Sequence, residues 1–121
     1  MSDVRRQYVK PAPLSRDVAI AKLTGTDRLA RIHGLLSLAL YDPDWKWVQD
    51  RSLELLQDPD LDLVATAILA LGHVGRLHGR LELDIVLPEL EALKTNEALA
   101  GRVSDVLNDI DIFVRRRRSD V

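Results

Sequence analysis

The tripeptide Asp-Pro-Asp occurs twice, at 42–44 and at 58–60, and each copy precedes an apolar stretch with helical spacing. Proline fits the first turn of a helix but breaks one in its interior. An aspartate at a helix N-terminus caps free N–H groups and complements the positive end of the helix dipole. The two copies therefore predict helices of similar length opened by tight breaks, and with the flanking pattern they predict a stack of helix pairs.

The remaining elements follow the same logic. Ser15 is placed to cap a short helix ending near Leu23, with Gly25 as its stop. Thr26 or Asp27 caps a second helix, whose apolar stripe is Leu29, Ile32, Leu36 and Leu40. A third, over about 44–57, places Trp45, Val48, Ser52, Leu55 and Leu56 on one face. The fourth, over about 60–78, is apolar nearly all round, which predicts a central position. Its Ala65, Ile68, Gly72 and Gly75 form a shallow stripe suited to close packing. The fifth, over about 83–94, turns Leu83, Val86, Leu90 and Leu93 inward and either kinks at Pro88 or begins near Asp84. The sixth, over about 97–114, carries the stripe Leu99, Val103, Val106, Ile110 and Phe113. About six helices make about three antiparallel pairs, roughly the minimum for a stable stack. An irregular helical bundle is the alternative. Residues 1–14, with Pro11 and Pro13, read as an N-terminal arm, 15–114 as the helical domain, and 115–121 as a basic tail.

The 121 residues allow one domain, and the 46% hydrophobic content is enough for a core. No cysteine is present, which removes disulfides and thiolate chemistry. No apolar run approaches the ~18 residues of a membrane span, and no secretory signal follows Met1, so a cytoplasmic protein without membrane partners is expected. Residues 27–114 hold 8 basic and 16 acidic residues, a net of −8, while each end contributes +3 and returns the chain to −2. Such an acidic body disfavours nucleic acid and favours a protein partner with a basic surface.

No Gly-rich phosphate loop, Gly-x-Ser-x-Gly elbow or His-Glu-x-x-His motif is present, and no enzymatic activity or cofactor is expected. His33, His73 and His78 are not spaced as metal ligands, so no metal is expected either. Trp45 and Trp47 point about 200° apart on a helix. Trp45 falls on the core stripe, and Trp47 falls on the outward side with Arg51 and Glu54, with Asp50 nearby. Tryptophan and arginine are typical interface anchors. Trp47 is then either a partner anchor or covered by a neighbouring repeat or by the arm. His73 shares a narrow polar stripe with Asp62, Thr66 and Arg76, which is either a partner-facing strip or the setting of an interior hydrogen-bonded histidine. Arg102, Asp105 and Asp109 lie opposite the apolar stripe of the last helix. They form either a solvated face or an acidic patch that mimics nucleic acid. Asp42, Asp44, Asp58 and Asp60 read as caps. The four arginines at 115–118 read as a solvated basic end, since no aromatic platform accompanies them.

Residues 41–50 (Tyr-Asp-Pro-Asp-Trp-Lys-Trp-Val-Gln-Asp), 70–79 (Ala-Leu-Gly-His-Val-Gly-Arg-Leu-His-Gly) and 107–113 (Leu-Asn-Asp-Ile-Asp-Ile-Phe) resemble small bacterial HEAT-like repeat proteins. The resemblance spans roughly 27–114, and the double-tryptophan segment is its most specific part. It implies an all-α, HEAT-like helical-repeat stack wound as a right-handed solenoid. Small free-standing proteins of this kind are similar to immunity proteins of contact-dependent and other polymorphic toxin systems. The resemblance thus implies a non-enzymatic protein that covers the active site of a cognate toxin domain, such as a nuclease with a basic surface. Contacts are expected at Trp47, Asp50, Arg51 and Glu54, at His73 and Arg76, and at Asp105 and Asp109. A general adaptor in a larger complex is the alternative. The tetra-arginine tail departs from the family pattern.

Overall fold

The computed structural model describes residues 13–116. Most of the expected arm and the end of the basic tail lie outside the described residues. Within them are six α-helices: α1 (Arg16–Thr24), α2 (Arg28–Tyr41), α3 (Trp45–Leu55), α4 (Leu61–His78), α5 (Leu83–Ala92) and α6 (Glu97–Ile110). A 3-10 turn (Leu93–Thr95) follows α5, and a π-helical turn (Asp111–Arg115) closes α6. No strand occurs among the described residues.

Capping explains where the helices begin. Side chains of Ser15, Asp27, Asp44, Asp60 and Asn96 each accept a first-turn N–H of the following helix. The two Asp-Pro-Asp turns are built alike. The first aspartate accepts the N–H of the second, at 2.8 Å for Asp42–Asp44 and 2.8 Å for Asp58–Asp60. The second then caps the next helix, at 3.1 Å to the Trp47 N–H and 2.9 Å to the Asp62 N–H. An arginine from an earlier helix grips each turn. Arg16 of α1 lies 3.1 Å from Asp42 and 3.7 Å from Asp44. From α2, Arg31 lies 3.4 Å from Asp58, and Arg28 lies 2.8 Å from Asp60 and 3.0 Å from Asp62. Asp44 and Asp60 are therefore caps, while Asp42 and Asp58 hold the turns.

The helices after the two copies differ in length, with 11 residues in α3 and 18 in α4. The second Asp-Pro-Asp halts α3, but α4 runs on until Gly79. That glycine adopts the left-handed conformation (φ 67°) and donates its N–H to the Gly75 carbonyl at 2.8 Å. Gly25, the expected stop of α1, has φ −79° and ends its helix with extended backbone.

α2, α4 and α6 lie side by side, with α4 in the middle; α1 backs α2, α3 backs α4, and α5 with its 3-10 turn backs α6. The expected centrality of α4 holds: Leu63, Val64, Ala67, Ile68, Leu71 and Val74 are all buried. Glycines allow two close approaches, one between the rows and one within the α2–α4–α6 row. A Cβ on Gly34 of α2 would stand 2.5 Å from the Ala19 carbonyl oxygen and 2.9 Å from the Leu23 nitrogen, so α1 and α2 touch backbone to backbone. Gly72 and Gly75 of α4 admit Val106 and Val114 from the last helix, at 3.1 Å and 3.2 Å from where a Cβ would be.

Three expected stripes are shifted. On α2 the buried residues are Gly34, Leu35, Ser37, Leu38 and Ala39, while Leu29 is 68% exposed and Ile32, Leu36 and Leu40 are half-buried. α2 is apolar on two sides, and its contacts with α1 and α4 select one of them. On α3, Trp45 and Leu55 are half-buried and Gln49 is fully buried. At the end of α6, Val114 is buried and Phe113 half-buried, because the wider π turn brings the fourth residue after Ile110 back to the core face. Pro88 sits within α5 on an exposed position.

Two glycine substitutions test this packing by urea denaturation. Gly34→Ala is expected to lower stability by about 2 kcal/mol or more, because α1 must be pushed off α2. Gly101→Ala, where no atom lies within 4 Å of the added Cβ, is expected to raise it by about 0.5–1 kcal/mol by removing glycine entropy from a helix interior. A Gly34→Ala chain as stable as the parent would contradict the backbone contact.

Candidate partner-binding surface

The residues singled out from the sequence fall on two faces. The first lies on α3. The Trp47 ring is half-buried, with the Arg16 guanidinium 4.3 Å and the Arg51 guanidinium 5.6 Å from its centroid. Arg51 pairs with Glu54 at 2.6 Å. Asp50 receives Lys46 at 3.4 Å and the Gln49 amide at 3.2 Å. A neighbouring helix thus covers Trp47 in part, as one of the two readings had it. A cleft of about 300 Å³ beside this group is lined by Leu23, Thr24, Arg31, Arg51, Glu54 and Leu55.

Trp45, expected in the core stripe, is half-buried and packs against the core, and its ring also walls a cleft formed with residues 79–84, with Arg80 5.2 Å over it. The interior position belongs to Gln49, which the sequence reading missed. Its Oε1 accepts the Glu82 N–H at 2.7 Å, and its Nε2 donates to Glu82 Oε1 at 2.8 Å. Lys46 Nζ donates to the same carboxylate oxygen at 2.9 Å. These bonds pin the α4–α5 connection to α3. The available signal was the 45-49-52-56 spacing, which puts Gln49 among buried positions.

The second face belongs to α4 and α6. Asp62, Thr66, His73 and Arg76 do share one side of α4. Thr66 donates to the Asp62 carbonyl at 2.7 Å, and an Arg76 nitrogen lies 2.7 Å from His73 Nδ1. Ala65 and Leu69 lie along the same side. With Ile32 of α2 and Arg102 of α6 they line a groove of about 220 Å³. The Gly72–Val106 and Gly75–Ile110 contacts set α6 running alongside α4 in the same direction. Asp105 and Asp109 follow Arg102 by three and seven residues on one helical face, so they pass beside the His73–Arg76 stretch. Neither carboxylate pairs with any described residue. Leu29, expected on the apolar stripe of α2, is 68% exposed, and on α4, central though it is, Leu61 is 48% and Leu69 44% exposed.

The α3 group and the α4–α6 group belong to different rows, since α3 backs the row that contains α4 and α6. The structure therefore does not join the eight expected contacts into one patch. His33 is exposed on α2 and His78 half-buried at the end of α4, each on a part of the molecule separate from His73. No described helix is long and apolar enough to cross a membrane.

No protein-family model matches the chain, and no curated protein matches it. Among solved structures, it is similar to a chain in the crystal structure of a CDI complex from Cupriavidus taiwanensis LMG 19424. The TM-score is 0.78 and the sequence identity 28%, over 88% of this chain and 96% of that chain. The likeness therefore takes in the two-row arrangement as a whole rather than one helix pair.

Electrostatics at the two latches predicts an acid limit to stability. The hydrogen bond from Lys46, helped by Gln49, holds the Glu82 carboxyl below its ordinary 4.5. The Asp62 N–H, followed by Arg28, holds Asp60 below its ordinary 3.8. Lys46 is raised above 10.5, chiefly by its bond to Glu82. A lowered carboxyl stabilises the fold fully above its unfolded value, and that contribution is lost as the pH falls through the lowered one; a raised amine stabilises below its unfolded value and loses this as the pH climbs through the raised one. The urea midpoint is thus expected to fall on acidification from about pH 5 to about pH 3, and Glu82→Gln to show a smaller fall. An unchanged acid slope in Glu82→Gln would remove this latch from the account.

Proposed function

We propose that this chain is an immunity protein of a contact-dependent growth inhibition system, a non-enzymatic binder that neutralises a cognate toxin domain by covering its active site. The observation that carries the reading is the likeness to a chain of a CDI complex along 96% of that chain's length. Of the two roles in such a complex, toxin and antidote, the chain fits the antidote. Its conspicuous polar groups are engaged in holding the fold: Arg16 and Arg28 on the Asp-Pro-Asp turns, Lys46 and Gln49 on Glu82, and Arg51 on Glu54. The hydroxyls that line the clefts are likewise turned to the backbone, Thr24 donating to the Ile20 carbonyl and Thr66 to the Asp62 carbonyl.

The mechanism is steric and electrostatic. An acidic body attracts a basic toxin domain, which raises the encounter rate and disfavours wrong partners. Once docked, the helical stack occupies the space that substrate needs. For a toxin acting on nucleic acid, carboxylates of this chain take the place of phosphates. Action of this kind takes place in the cytoplasm, where an incoming toxin meets its target.

The test is to express the C-terminal domain of the polypeptide encoded immediately upstream of this chain, alone and together with it. Expression of that domain alone is expected to arrest growth, co-expression to restore it, and the two proteins to purify as a 1:1 complex through a moderate salt wash. Continued arrest with no complex would sink the immunity reading. Co-purification with assembly components instead would favour an adaptor role.

A further inference from the structure

The geometry points to the α2–α4–α6 face, and not the tryptophan face of α3, as the surface that receives the toxin domain; this rests on the immunity reading above. On α3, Trp47 lies under Arg16, Arg51 pairs with Glu54 through one terminal nitrogen while its buried Nε has no hydrogen-bond partner among the described residues, and Asp50 holds Lys46. A partner docking there has to break contacts the molecule already makes. On the other face, apolar side chains remain in water. Leu29, Leu61 and Leu69 are 68%, 48% and 44% exposed, and Ile32, Ala65 and Leu69 line an open groove. Exposed apolar surface of this kind, rimmed by charge, marks interaction sites in soluble proteins.

The charge along the groove says what the occupant carries. Arg28, at one end, is already committed to Asp60 and Asp62. Along α6, Asp105 and Asp109 stand one helical turn apart without a partner among the described residues. Most other aspartates and glutamates of α2–α4 cap a helix or pair with a cation. Arg102 lines the groove itself, and the unpaired carboxylates Asp105 and Asp109 follow it along α6, beside His73 and Arg76. The occupant that fits is a toxin-domain surface that inserts an aliphatic or aromatic side chain between Ile32 and Leu69 and sets lysine or arginine on Asp105 and Asp109. The apolar insertion governs how long the complex lasts, and the carboxylates govern how fast it forms.

The experiment measures binding of the full chain to the upstream-encoded toxin domain by surface plasmon resonance at several salt concentrations. Leu69→Asp is expected to weaken the complex about 100-fold, mainly through faster dissociation. Leu69 is a partly exposed side chain, and circular dichroism checks that the variant is folded. The double substitution Asp105→Lys with Asp109→Lys is expected to slow association about tenfold and to flatten its salt dependence, with little change in dissociation. A complex that tolerates both changes but is lost with Glu54→Lys overturns this face while leaving the immunity reading intact. No complex with the unmodified chain overturns the immunity reading and this face with it. If the chain alone sediments as a dimer that Leu69→Asp splits, the groove takes a second copy and the assignment to toxin fails.

Discussion

α4 carries apolar side chains around most of its circumference, and the rest of the molecule is arranged to keep them from water. α2 and α6 flank it and α3 lies behind it. Each buried leucine or isoleucine contributes roughly 1.5–3 kcal/mol relative to exposure, so Leu63, Ile68 and Leu71 together outweigh any surface pair in the structure. Close approach is needed to collect that energy. Gly72 and Gly75 supply it on the α6 side by admitting the side chains of Val106 and Val114. Three neighbours still leave Leu61 and Leu69 of α4 largely exposed, with Ala65 half-buried between them. This exposure follows from the same packing that makes α4 central.

The charged residues divide by task. Arginines on α1 and α2 reach forward to the Asp-Pro-Asp turns, so that each turn is tied to an earlier helix as well as to the helix it caps. Lys46, Gln49 and Glu82 do the corresponding work between α3 and the α4–α5 connection. Exposed ion pairs of this sort add little stability individually. Their effect is to fix the angle and register of one pair on the next. Asp105 and Asp109 pair with no described residue and take no part in this.

Much of this was legible in the sequence because it is local. Ser15, Asp27 and Asp60 announce helix starts through bonds made within three residues, and the apolar run of 60–78 announces a central helix by composition alone. The polar stripe of Asp62, Thr66, His73 and Arg76 follows from helical spacing. The misplaced residues are those whose environment depends on a partner far along the chain. Leu29 and Leu35 both satisfy a helical stripe on α2, and only the contacts with α1 and α4 choose between them. Trp45 and Trp47 look like an inward and an outward residue, yet each ends half-buried beneath an arginine, Arg80 in one case and Arg16 in the other. Gln49 looks like a surface residue until Glu82, 33 positions later, supplies both a donor and an acceptor.

The sequence by itself determined the number of helices, most of their boundaries, the acidic balance of the body and the absence of recognisable catalytic motifs, since these rest on residue chemistry and on spacings of three or four. The tertiary structure decided which apolar stripes are core and which are surface, and which charges are spent on holding the fold. Those choices depend on how the helix pairs stack, and stacking is set by contacts such as Ala19 on Gly34 and Val106 on Gly72, which join residues that no local period relates.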